Sequence, residues 1–139
     1  MNYLLLLLTL FSYTKQEQQN PLVNTKWEYK VAKNCISYLT FKADGTYEDY
    51  SCERYLTYSG KYEIKKDTIT LFEIGFESEV PSVNEENNNK KVTTCRNKLI
   101  YKGRLLQYIS SENYDFENKK WSGDIIFPPN EIFYIKVAP

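Results

Sequence analysis

The residues of this chain whose types could do chemistry are three cysteines, Cys35, Cys52 and Cys95, and two adjacent carboxylate pairs, Glu48 with Asp49 and Glu85 with Glu86. Histidine is absent, which removes the commonest general base and the commonest zinc ligand together. Hydrolytic chemistry would have to come from carboxylates, lysine or cysteine. The cysteines have no CxxC spacing and so form no metal knuckle or thioredoxin-like motif. Neighbouring residues on a strand point to opposite faces, so Glu48 and Asp49 cannot readily share a proton or a metal. Glu85 and Glu86 lie in the polar run NEENNNK. Both pairs therefore read as solvated surface. Cys95 stands beside Arg96, a neighbour that favours thiolate. With no imidazole to serve as its base, strand packing is the expected role. The chain is expected to have no catalytic residue, no metal and no cofactor.

What must position these residues is a sheet. Within 139 residues the chain has room for one domain with a real core. Its hydrophobic content leans on 13 Tyr and 7 Phe, residues that favour pleated, half-buried surfaces. From Trp27 the apolar pattern has a period near two. Trp27, Tyr29 and Val31 mark a first strand, and Leu39 and Phe41 a second. Ala43-Asp44-Gly45 makes a tight turn into a third, Thr46 to about Cys52. The tyrosines at 47, 50, 55, 58 and 62 have spacings that would also suit a helix face, but Ser51, Cys52, Thr57, Ser59 and Gly60 have low helix propensity. Strands are predicted instead at Lys61 to Ile64, Ile69 to Phe72, Val92 to Tyr101, Arg104 to Ile109 and Ile132 to Val137. The segment 77–91 reads as an exposed, mobile loop, and 113–123 as polar and interrupted, with Trp121 needing cover. About eight short strands with regular turn signals predict an all-β fold, a small antiparallel up-and-down barrel.

Lysine plus arginine and aspartate plus glutamate both number 18. No basic field draws the chain to nucleic acid or to an anionic membrane. The opening run MNYLLLLLTLF is too short to cross a hydrocarbon core and has the length of a signal-peptide h-region. Residues 1–14 are expected to be a signal peptide, 15–21 a polar tether, and 22–139 the barrel. The expected location is outside the cytoplasm: periplasmic, cell-surface or secreted. Leu10 to Lys15 resembles a bacterial lipoprotein lipobox in which Tyr13 stands in place of the lipidated cysteine.

Trp27, the run FKADGTY from Phe41 to Tyr47, GKYEI from Gly60 to Ile64, and ITL from Ile69 to Leu71 together resemble the small lipocalin-like proteins that bacteria export, often as lipoproteins. The likeness covers residues 22 to 72. Asn24 stands where that family usually has glycine before Thr-Trp. The resemblance implies an eight-stranded barrel or cup able to hold a small apolar ligand, without naming one.

With the first hairpin centred on Asp44, Ile36 opposes Cys52, and one bulge would bring Cys35 within disulfide reach. Cysteines at these places are common in the lipocalin-like group, which supports the bridge. Trp27, Phe41, Tyr47, Tyr62, Ile64 and Leu71 are the candidates for the barrel interior, either as solid core or as the wall of a ligand cavity. The sequence thus favours an exported, non-enzymatic barrel binding a small, partly apolar molecule. The rival reading is an interaction module of inhibitor or immunity type, using a tyrosine-rich face against a protein partner.

Overall fold

A computed structural model describes residues 19–79, 93–128 and 131–138. The expected leader, its lipobox-like segment and the pair Glu85 and Glu86 lie outside the described residues. Among the described residues, alternating side chains build nine strands: β1 Thr25–Ala32, β2 Cys35–Phe41, β3 Thr46–Ser51, β4 Leu56–Lys65, β5 Thr68–Ser78, β6 Cys95–Tyr101, β7 Leu105–Asp115, β8 Lys120–Ile126 and β9 Phe133–Ala138. Each predicted strand has a counterpart among the described residues, several longer than their alternation suggested, while the one predicted from Val92, which lies outside the described residues, begins at Cys95. β4 begins at Leu56 rather than after Gly60, and β5 continues to Ser78. The segment expected to be interrupted, 113–123, is instead the turn of the β7–β8 hairpin and the arms beside it, with Tyr114 paired to Trp121.

Consecutive strands from β1 to β7 pair antiparallel. β8 and β9 then share the remaining edge of β7. β8 pairs with Ser110 to Asp115, and β9 with Leu105 to Gln107. β9 alone reaches β1, at Lys26 to Glu28, and closes the ring. The result is a closed antiparallel barrel of eight strands, with β8 as an additional strand beside it. Closure satisfies the backbone groups that an open sheet would leave at its edges. The described residues contain no helix long and apolar enough to cross a membrane.

Two glycines fix the geometry of the first hairpins. Gly45 has φ 82° in the β2–β3 turn, where the Asp44 carboxylate accepts from the Thr46 amide at 3.0 Å and from its hydroxyl at 2.5 Å. Gly60 sits where the β4–β5 register shifts. A Cβ there would overlap the Phe72 carbonyl, so only glycine lets the two strands approach.

Inward positions of the strands bury an apolar core. Trp27, Leu39 and Phe41 meet Ile69, Leu71, Leu99 and Leu106, all fully buried. Leu22 covers the same end of the barrel, and is itself fully buried. Burying each such side chain stabilises the fold by about 1.5–3 kcal/mol. The few polar atoms at this end are satisfied locally. Trp27 Nε1 donates to Thr25 Oγ1 at 2.8 Å, and Thr25 Oγ1 donates to the Leu22 carbonyl at 2.5 Å. The Tyr62 hydroxyl donates to the Lys42 carbonyl at 3.2 Å and accepts from Asn20 at 3.1 Å.

Cys35 and Cys52 form the expected disulfide, with their Cα atoms 5.4 Å apart. The predicted register is observed, Tyr38 facing Tyr50. The β2–β3 ladder itself needs no bulge. It ends before the bridge, and the Cys52 amide donates to Ser37 Oγ at 3.2 Å instead of to a strand partner. Bonds of this kind persist in oxidising compartments.

Candidate functional site

The inward row of β3 is Tyr47, Asp49 and Ser51, and along it the barrel interior changes character. Tyr47 belongs to the apolar core. Beyond it, Asp49 and Ser51 face a cavity of about 430 Å³ that opens at the end of the barrel bearing the disulfide. The β5 row changes in the same way, from Ile69 and Leu71 in the core to Glu73 in the cavity wall. β6 and β7 follow, with Leu99 giving way to Asn97 and Cys95, and Leu106 to Tyr108, Ser111 and Asn113. Tyr29, Phe127, Ile132 and Tyr134 give the wall its apolar side.

Asp49 is the anchor of the polar group. Its two carboxylate oxygens accept from the Tyr108 hydroxyl at 3.0 Å and the Tyr134 hydroxyl at 3.1 Å. These rings lie with centroids 5.9 Å apart, and Tyr29 packs on Tyr134 at 5.8 Å. Burial pushes the Asp49 carboxyl up to about 6, although the two hydroxyl donors act to lower it. Glu73 is pushed up to about 7, by burial first and by the charge of Asp49 second, with Arg54 pulling it down. No hydrogen bond or ion pair from a described residue reaches the Glu73 carboxylate. At the mouth, Arg54 donates to the Tyr58 hydroxyl at 3.1 Å.

Of the six residues expected to line the interior, five fill it. Trp27, Phe41, Tyr62 and Leu71 are buried core, and Ile64 packs against that core. Only Tyr47 both belongs to the core and borders the cavity. The expectation for the first carboxylate pair needs correcting. Glu48 is exposed and pairs with Lys42 at 2.5 Å, as a surface residue should. Asp49, on the opposite face, points into the barrel. The signal was already in the strand period, since Asp49 shares its face with Tyr47.

Cys95 also departs from expectation. Its thiol borders the cavity, bonded to Asn97 and Ser111 at 3.6 and 3.5 Å. Arg96 does not activate it. The guanidinium points to the other face, where it pairs with Glu112 and lies over the Trp121 ring at 4.4 Å, the cover that Trp121 needed. Burial raises the thiol pKa, holding it neutral. Among the described residues, the hydroxyls bonded to the cavity carboxylates are the two tyrosines on Asp49, and neither the Cys95 thiol nor a serine lining the cavity is paired with a base. The arrangement suits binding and proton exchange near neutrality better than nucleophilic attack.

Comparisons with protein-family models, with curated proteins and with solved structures found no match to this chain.

Proposed function

We propose that this chain is an exported, non-enzymatic lipocalin-like barrel that binds a small, partly apolar molecule in its open half. The observation that carries the reading is the cavity of about 430 Å³. It lies within the size range of small-molecule sites and combines an aromatic wall with a polar side of carboxylates, hydroxyls and amides. The Cys35–Cys52 bridge supports export to the periplasm, the cell surface or the medium.

Native mass spectrometry of protein purified from the cells that make it should show a retained small molecule. The half-buried Cys95 thiol provides a second readout, because an occupant would shield it from alkylation. A chain that carries no small molecule, and whose Cys95 reacts at one rate with and without a small-molecule extract of those cells, would overturn the reading.

A protein-interaction role is favoured by one observation on the outside. Ile125 and Ile126 of β8 and Ile135 and Val137 of β9 are 53%, 77%, 50% and 47% exposed. A protein partner retained in the same spectrum, in place of a small molecule, would select that reading.

A further inference from the structure

We propose that the open half of the barrel takes a small organic cation, an aliphatic amine on an aromatic body, with its ammonium group held between Asp49 and Glu73. This rests on the small-molecule reading of the cavity and adds the chemistry of the occupant.

Three features of the cavity converge on that class. The first is the sign of its charge. The carboxylates of Asp49, Glu53 and Glu73 line it together with the single guanidinium of Arg54, which is engaged at the mouth by Tyr58. An anion would meet two interior carboxylates, whereas a cation would be drawn in. The second is the difference between those carboxylates. Asp49 is already held by two tyrosine hydroxyls, while Glu73 faces the cavity with no donor from the described residues. An ammonium group carries three donors and no acceptor. It can supply Glu73 and still reach Asp49, whose oxygens have lone pairs left beside the hydroxyl bonds. The third is the wall. Tyr29, Tyr108, Phe127 and Tyr134 put ring faces and edges along one side of the space, which suits an aromatic body and adds cation–π attraction for its charge. No covalent step is involved.

Titration of the same carboxylates gives the binding a pH signature. Asp49 faces Tyr108, Tyr134, Tyr47 and Glu73, and Glu73 faces Asp49, Arg54, Tyr47 and Cys95. The tyrosines and the thiol have raised pKa values and stay neutral, and the guanidinium stays charged. Only the two carboxyls change charge near neutrality. A bound cation favours their ionised forms, so binding near pH 7 should release protons.

The test is titration calorimetry of the full oxidised chain with tryptamine, indole-3-ethanol and indole-3-propionate, which share one body and differ in the charge of the end group. Tryptamine should bind about tenfold or more tightly than the alcohol, the scale of a hydrogen bond to a charged group. The propionate should not bind. Tryptamine affinity should fall as pH drops from about 8 to about 5, and heats in buffers of different ionisation enthalpy should show proton release. Glu73→Gln should remove most of the preference for the amine over the alcohol.

Equal affinity for the amine and the alcohol, or tighter binding of the propionate, would overturn the amine assignment and leave the cavity reading standing. No binding of tryptamine at any pH would also overturn it. The retained-ligand and Cys95-shielding experiments then decide the cavity reading separately.

Discussion

β3 places Tyr47 and Asp49 on one face, two residues apart, and the interior changes between them, with Tyr47 in the core at the edge of the cavity and Asp49 inside the open half. Around Tyr47 the interior is closed. Trp27, Phe41 and Leu71 are fully buried, and the polar atoms among them bond to neighbours in the same loop or strand. Around Asp49 the same strands bring carboxylates, hydroxyls and a thiol together about an open space. One half uses inward positions to bury apolar area, and the other gives that burial up to hold groups that water or a ligand must satisfy. The difference shows that strand alternation decides which residues point inward but not what the interior is for. An apolar core and a polar cavity wall occupy successive inward positions of the same pleat.

The comparison breaks first at its strongest contrast. Trp27→Ala should destabilise the chain by about 3–5 kcal/mol, as expected for truncating a large ring in a packed core. Tyr58→Ala, at the mouth of the cavity, should cost under about 1 kcal/mol, because the ring borders open space. Midpoints of denaturant unfolding would read both. Equal costs would mean that the open half is as closely packed as the other.

The disulfide lies at the open end, where packing contributes least. Its 17-residue separation corresponds to roughly 3 kcal/mol in the chain-entropy view. Replacing both Cys35 and Cys52 by serine should therefore lower stability by about that amount, with the loss seen first as faster hydrogen exchange in β2 and β3 near the bridge. Unfolded but unreduced protein should titrate with one free thiol, that of Cys95. Three thiols would remove the staple from the open end.

Most of the closed half was legible in the sequence. Trp27, Phe41, Tyr62 and Leu71 follow the two-residue period, Gly45 marks its turn, and the register that brings Cys35 near Cys52 follows from the centre of that hairpin. The candidate site was hidden for a physical reason. A charged residue on a strand is ordinarily solvated, so Asp49 reads as surface unless its face is first tied to Tyr47 and its hydroxyl partners are known. Tyr108 and Tyr134 are 59 and 85 residues away along the chain. Glu73 was missed because β5 seemed to end at Phe72. Its inward direction follows the same two-residue period as Ile69 and Leu71 once the strand is seen to continue past Phe72 to Ser78. Arg96 misled in the opposite way, because adjacency to Cys95 in sequence puts the two side chains on opposite faces.

The smallest expected effect tests the proposal that the open half gives up stability for binding. Glu73 is raised from 4.5 to about 7 and Asp49 from 3.8 to about 6. The folded chain therefore holds these two protons more tightly than the unfolded chain does. Their contribution to stability is fully present below about pH 4, and it is lost as pH rises through about 6 and then about 7. At pH 8 both carboxylates are ionised in a partly desolvated space, which costs the fold something that an amide would not. Glu73→Gln should thus stabilise the chain at about pH 8 by on the order of 1 kcal/mol, after allowance for solvent screening, and give no gain below about pH 4. Asp49→Asn is the poorer probe, since the amide oxygen replaces only one of the two acceptors used by Tyr108 and Tyr134. Thermal unfolding of wild type and Glu73→Gln across that range decides the matter. A variant less stable than wild type at pH 8 would mean that Glu73 supports the fold, and the division between a closed half built for stability and an open half built for binding would fail at the residue on which it depends most.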